Sequence, residues 1–282
     1  MNLFNQVKPH LIAILAFVIV SCLYFSPSLS GKKMNAHDNV GFTAANKECA
    51  DYKAKGETIL WTNRIFSGMP LFQTSYAIKS NLVGYVGTVF SFFSYEVNIL
   101  IYLMIGMYFA LLLFNLKSKS SIPISIAYGL TTWYLLSIEA GHNSKMFAIA
   151  YVPLLLGGMY HTYFTDSKKG LIAIGIGLAL LIGTSHYQIV YYAIIMTLFM
   201  GIYALIEFIK SNRIADFAKR TGIILFVVAV AVGCNTTNLW TNSEYVKETM
   251  SGGNSELTKT SAPGVAEKKS TGLDINYASR WS

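Results

Sequence analysis

Charge is scarce in this chain: only 13% of its 282 residues are Asp, Glu, Lys or Arg, against about a quarter in a typical soluble domain. Apolar residues fill the gap, making up 53% of the sequence and giving a mean hydropathy of +0.45. This balance excludes a disordered chain and argues against an ordinary water-soluble globule. Cysteine is also sparse. Cys22, Cys49 and Cys234 are odd in number and widely scattered, so they supply neither a disulfide framework nor metal-ligand spacing. His37, His142 and His186 are also far apart in sequence. There is no HExxH, CxxC, P-loop or G-x-S-x-G sequence, which disfavours a hydrolase or ATPase built on those devices. Gly175 and Gly177 open no strand–helix unit, so a dinucleotide fingerprint is absent too.

Long apolar runs and aromatics are plentiful, with 18 Tyr, 17 Phe and 4 Trp, as suits side chains at a membrane–water boundary. A helix needs roughly 20 mostly apolar residues to cross the hydrocarbon layer. Seven segments approach that requirement: 10–29, 97–116, 122–138, 146–164, 170–185, 188–208 and 220–239. The spacing of Gly175, Ala179 and Gly183 inside the fifth predicts close helix packing. The fold class expected is an all-α polytopic membrane protein of about seven transmembrane helices.

Basic residues orient these spans. With the N-terminus inside, the short inner segments carry Lys8, Lys117, Lys119, Lys168, Lys169, Lys210, Arg213, Lys219 and Arg220, and the short outer loops carry only Lys145. That is a positive-inside asymmetry. It explains the net charge of +8 as an orientation signal, so nucleic acid is not an expected partner. The two long segments, 30–96 and 240–282, then fall outside. The apolar run of the first span continues through Leu23-Tyr24-Phe25, longer than a signal-peptide core.

Polar chemistry gathers on that outer side. Asp38, Phe42, Ala45, Cys49 and Tyr52 recur at helical spacing, so 36–55 reads as one amphipathic surface helix with Asp38 in its first turn and Gly56 after its end. Residues 81–94 are apolar but too short to span, and a second surface helix is expected there. Glu139, His142, Asn143 and Lys145 pack into seven residues between two spans, and His186 marks the next outer turn. Asp38 in a first turn also favours the helix dipole by itself, and Glu139, His142 and Lys145 would also fit a salt-bridged loop.

At this point the residues carry a resemblance. Trp61-Thr62-Asn63 with Gly68-Met69-Pro70 resembles the WTN…GGMP block of YfhO-like bacterial membrane proteins, with Ser67 replacing a first glycine. Ala140-Gly141-His142-Asn143-Ser144-Lys145-Met146 resembles that family's AGHNSKM signature. Asn238-Leu239-Trp240, Gly272-Leu273-Asp274 and the stretch from Tyr277-Ala278 to Trp281-Ser282 fit as well. The resemblance implies a GT-C-like architecture, with surface helices in the first outer loop. It also implies a glycosyltransferase that uses polyprenyl-phosphate sugars, with an acidic residue early in that loop. Asp38 occupies that place. Members of the family are much longer, so this chain is expected to be an N-terminal portion. Residues 1–239 would be the GT-C-like transmembrane domain, its first outer loop about 30–96, and 240–282 an outer polar segment that begins a further part.

Topology bears on the donor independently. Nucleotide sugars are made in the cytoplasm, so an outer-face site needs a donor tethered to membrane lipid, with an envelope glycan as acceptor. Transfer requires a base for the acceptor hydroxyl and cations for the departing phosphate. Asp38 is the expected base, Arg64 and Lys145 the expected phosphate contacts, and His142, Asn143 and His186 the assisting polar groups. Glu139 would orient a cation; the residues leave the cofactor undetermined, a divalent metal being one alternative. The location implied is the bacterial inner (cytoplasmic) membrane, multi-pass, with the C-terminal segment outside. A lipid or solute transporter and a non-catalytic envelope scaffold stay open as other classes. A transporter, however, should place ionisable groups near the membrane midplane, and Glu96, Glu207 and His161 fall near span ends.

Overall fold

A computed structural model describes residues 3–65, 68–73, 85–86, 88–165, 168–247 and 249. The chain divides into two compact units, Met1–Thr236 and Thr237–Ser282. Among the described residues there are twelve α-helices and one two-stranded ladder, so the protein is all-α in class.

Each of the seven apolar runs coincides with helix: α1 (Leu3–Tyr24), α5 (Tyr95–Leu113), α6 (Ser118–Gly129) with α7 (Thr132–Ala140), α8 (Asn143–Thr165), α9 (Lys168–Gly183), α10 (Tyr187–Lys210) and α11 (Ile214–Gly233). Three of them, α1, α5 and α10, are long and apolar enough to cross a membrane by themselves. The number rises to five when two interrupted helix pairs each count as one span, α6–α7 being a pair bent by 49°. The shortfall from seven has physical causes. At 16 residues, α9 is only about 24 Å long. Although α8 has 23 residues, its tyrosines, His161, Pro153 and paired glycines dilute its apolar character. A multi-pass membrane protein is the consistent reading.

The bundle is centred on α5, α8 and α9. Glycines bring these helices together, because a side chain would not fit. A Cβ on Gly106 would lie 1.9 Å from the Ala150 carbonyl oxygen, and one on Gly157 2.9 Å from the Ala110 Cα. The small-residue stripe of α9 does pack, and it faces the α11 side: Gly175 meets Val227, while Asn235 donates to the Ala179 carbonyl at 2.9 Å. Three helix ends close in the same way. Asn115, Gly141 and Asn212 take left-handed backbone, and the residue after each donates to the carbonyl five residues back.

Between α1 and α5 the chain is less regular than its sequence pattern predicts. The expected single helix over 36–55 is two, α3 (His37–Ala45) and α4 (Lys47–Ala54). They part at the buried Asn46, whose backbone N–H and side-chain amide both donate to the Phe42 carbonyl. This is the local competition that lets asparagine end helices. Before them, α2 (Ser26–Leu29) is a single turn. A hairpin follows, with β1 (Trp61–Thr62) pairing antiparallel to β2 (Met69–Pro70). Where a second surface helix was expected, residues 88–93 form three-residue turns, Ser91 donating to Thr88 and Phe93 to Phe90. Residues 81–84 and 87 of that stretch lie outside the described residues.

In the second unit, α12 (Thr236–Lys247) starts at the boundary. The expected last span, 220–239, is interrupted: α11 ends at Gly233 and a separate helix follows, and the two together still qualify as one broken candidate span. The Gly272–Asp274 and Tyr277–Ser282 blocks lie outside the described residues.

Candidate functional site

The first turn of α3 meets the corner between α7 and α8. Gly141 makes this possible in two ways. Its φ of +90° is left-handed backbone, and a Cβ there would stand 3.1 Å from both the Asn39 amide nitrogen and the Asp38 Cβ. The corner therefore lies directly on α3. Next in the chain, His142 places Nε2 3.4 Å from Asp38 Oδ2, and the Asn143 side-chain amide donates to Asn39 Oδ1 at 2.7 Å. His37 approaches the other Asp38 oxygen, Nδ1 to Oδ1, at 3.5 Å. Residues about a hundred positions apart are thus joined by an imidazole–carboxylate contact and a hydrogen bond.

These groups border a cleft of about 1580 Å³, walled by residues from the α2–α3 region, α4, the start of α5, the α7–α8 corner and the α9–α10 corner. Asp38, His142, Asn143, Lys145 and His186 all line it. Asp38 is half-exposed at 52%, so its carboxylate is open to a ligand while held from behind by His142. Lys145 carries its ammonium 4.7 Å from the centre of the Trp133 ring, a cation–π contact that limits where this long side chain swings. Ser185, in left-handed backbone, turns the chain from α9 so that His186 precedes α10. Burial pushes the His186 pKa below its ordinary value, and the positive charges of Lys145 and His142 push the same way. Around neutral pH this imidazole is therefore uncharged. Among the described residues, its Nε2 and the Ser94 hydroxyl oxygen, both on cleft-lining residues, are enclosed without a hydrogen-bond partner, as suits polar groups bonded to buried water.

Arg64 and Glu139 are elsewhere. Both are exposed, and neither is among the lining residues of the cleft. Among the described residues no group of three or more His, Cys, Asp or Glu side chains is gathered to hold a metal ion. Sequence reading passed over Lys32, Lys33, Asn39 and Ser94, which line the cleft. The adjacent lysines just after the first span were a signal available in the sequence. The Asn39–Asn143 pairing had no such signal.

The cleft therefore offers a half-exposed carboxylate, an imidazole held toward its neutral form, and several ammonium groups. Such a set can accept a proton and hold an anion. No protein-family model, curated protein or solved structure matches the chain.

Proposed function

We propose that the chain is the N-terminal membrane portion of a glycosyltransferase of the GT-C type, which moves a sugar from a polyprenyl-phosphate donor to an envelope glycan on the outer face of the bacterial cytoplasmic membrane. One observation carries the reading: the Asp38 carboxylate faces an open cleft and is braced by His142, with Lys145 and His186 on the same cleft. In the proposed reaction Asp38 takes the proton of the acceptor hydroxyl as its oxygen bonds to the anomeric carbon. The bond from that carbon to the lipid phosphate breaks, and the phosphate leaves with the electron pair, facing Lys145. General-base help of this kind is typically worth about 10²–10⁴-fold. Because Arg64 is not on the cleft, the phosphate role falls to Lys145 rather than being shared. The basic-residue asymmetry supports an N-terminus inside, with all seven apolar runs crossing. In this reading the less apolar α8 crosses in the bundle interior, and the shorter α9 crosses beside it with Ile172 and Ile176 on its outer face.

The deciding experiment is Asp38→Asn in the complete protein. The variant keeps the side chain's shape and loses its basicity. Membrane abundance should stay normal while sugar transfer from lipid-linked donor falls about 10²-fold or more. Transfer at the wild-type rate would remove Asp38 as base and, with it, the reading of this cleft.

A further inference from the structure

Trp61-Thr62-Asn63 and Gly68-Met69-Pro70 stand out in the sequence, yet none of them lines the cleft. Their polar groups are turned on one another and on α4. The Thr62 hydroxyl, on a residue only 1% exposed, donates to Glu48 Oε2 at 2.7 Å, and the Asn63 backbone N–H donates to the same oxygen at 3.1 Å. Thr62 Oγ1 in turn accepts the Arg64 backbone N–H, and Asn63 Oδ1 accepts the Trp61 indole N–H. The hairpin is itself anchored. Leu71 is fully buried and donates to the Leu60 carbonyl, and the Trp61 ring lies so close to Gly68 that a Cβ there would be 2.7 Å from it.

α4 has no comparable anchor, since no side chain within it is buried. Its register is held by the joint at Asn46 and by the bonds of Glu48 to the hairpin. The neighbours of Glu48 on this helix, Lys47, Ala50 and Asp51, line the cleft. We propose that Glu48 is a positioning residue: it latches the Trp61–Pro70 hairpin to α4 and thereby fixes the cleft wall that carries Lys47 and Asp51. As a statement about a substrate site this rests on the proposed function of the cleft. The hydrogen bonds from Thr62 and Asn63, with the nearby Arg64 charge, hold the Glu48 carboxyl below its ordinary range, so the latch operates in its charged form at neutral pH. Bonds to a charged acceptor are the stronger class.

The test measures the wall directly. Nitroxide labels at Lys47→Cys and Ser144→Cys, both cleft positions, are placed in the full chain after Cys22→Ser, Cys49→Ser and Cys234→Ser, and the label-to-label distance distribution is recorded by double electron–electron resonance. Wild-type Glu48 should give one narrow distribution. Glu48→Ala and Thr62→Val should each raise the population of displaced distances about 10-fold or more, and Glu48→Gln, which keeps one acceptor oxygen, should fall between. Helical circular dichroism at the same temperature confirms that each variant is folded. Should Glu48→Ala fail to fold, Thr62→Val and Glu48→Gln decide. Folded variants with the wild-type distribution would overturn the latch. The readout needs no sugar transfer. Displaced distances together with an Asp38→Asn variant that still transfers sugar would therefore leave the latch standing and remove the reading of the cleft as the transfer site.

Discussion

Two helices of this protein look alike in sequence and behave oppositely in the fold. Over their most apolar 18 residues, α5 and α10 have mean hydropathies of 2.0 and 2.2, yet that window is 72% buried within the protein in α5 and 17% in α10. Hydropathy marks which helices enter a membrane. It does not sort those that face lipid from those that face other helices, because lipid is as apolar as leucine and supplies no driving force between helices. Close fit does the sorting. Gly106 of α5 touches the α8 backbone at Ala150, whereas Gly201 of α10 has open space where a Cβ would go. The exposed face of α10 carries Leu198, Phe199, Ile202 and Tyr203.

The comparison breaks most sharply at the two glycines. Gly106→Ala forces a methyl group to within 1.9 Å of a carbonyl oxygen. It should destabilise the purified protein by about 2 kcal/mol or more, read as a large fall in melting temperature or loss of folded protein. Gly201→Ala should be neutral or slightly stabilising, since alanine is the better helix former. If both variants melt with the wild type, α5 and α8 are not in contact as described.

A smaller effect is expected at the aromatics. The fully buried Tyr108 of α5 shares its hydroxyl with His10 Nδ1 at 2.8 Å and Ser118 Oγ at 2.7 Å. Tyr108→Phe strips both partners at once and should cost about 1–3 kcal/mol. Phe199→Leu, at a site 67% exposed, should change the melting temperature little. An equal loss in both would mean that α10 is covered by protein.

The smallest expected effect is at the end of α10, where Lys210 pairs with Glu207 at 2.9 Å on exposed side chains. Lys210→Ala should leave the melting temperature almost unchanged, and salt should erase any remaining difference. A larger shift, measured in the same melting experiment, would show that the α10 end is engaged by something beyond its own helix.

The contrast also explains what the sequence could reveal. Apolar runs were legible as helices because length and composition act locally. The meeting of the 141–145 corner with Asp38 was legible once both were assigned to one side of the membrane. The break at Asn46 was not, because the apolar spacing continues across it while a single amide redirects the backbone. The bend near Leu130 and Thr131 was hidden for the same reason, inside one apolar stretch. Glu48 was invisible, since nothing local distinguishes it from any other surface glutamate; its partners stand 14 and 15 residues away. Arg64 has the chemistry to grip a phosphate, but chemistry does not say which way a hairpin faces.

The contact of Gly141 with α3 has a consequence in time. Ribosomes add about 5–20 residues each second, so Asn39 leaves the ribosome roughly 5–20 seconds before Asn143, the partner 104 residues later. During that interval Asp38 waits on a pair of short helices with no buried side chain of their own. The hairpin emerges within a few seconds of α4, far ahead of the α7–α8 corner. Synthesis itself would then let the early loop acquire its internal order first, the Gly141 corner would dock on it next, and the later α9–α10 corner would complete the cleft.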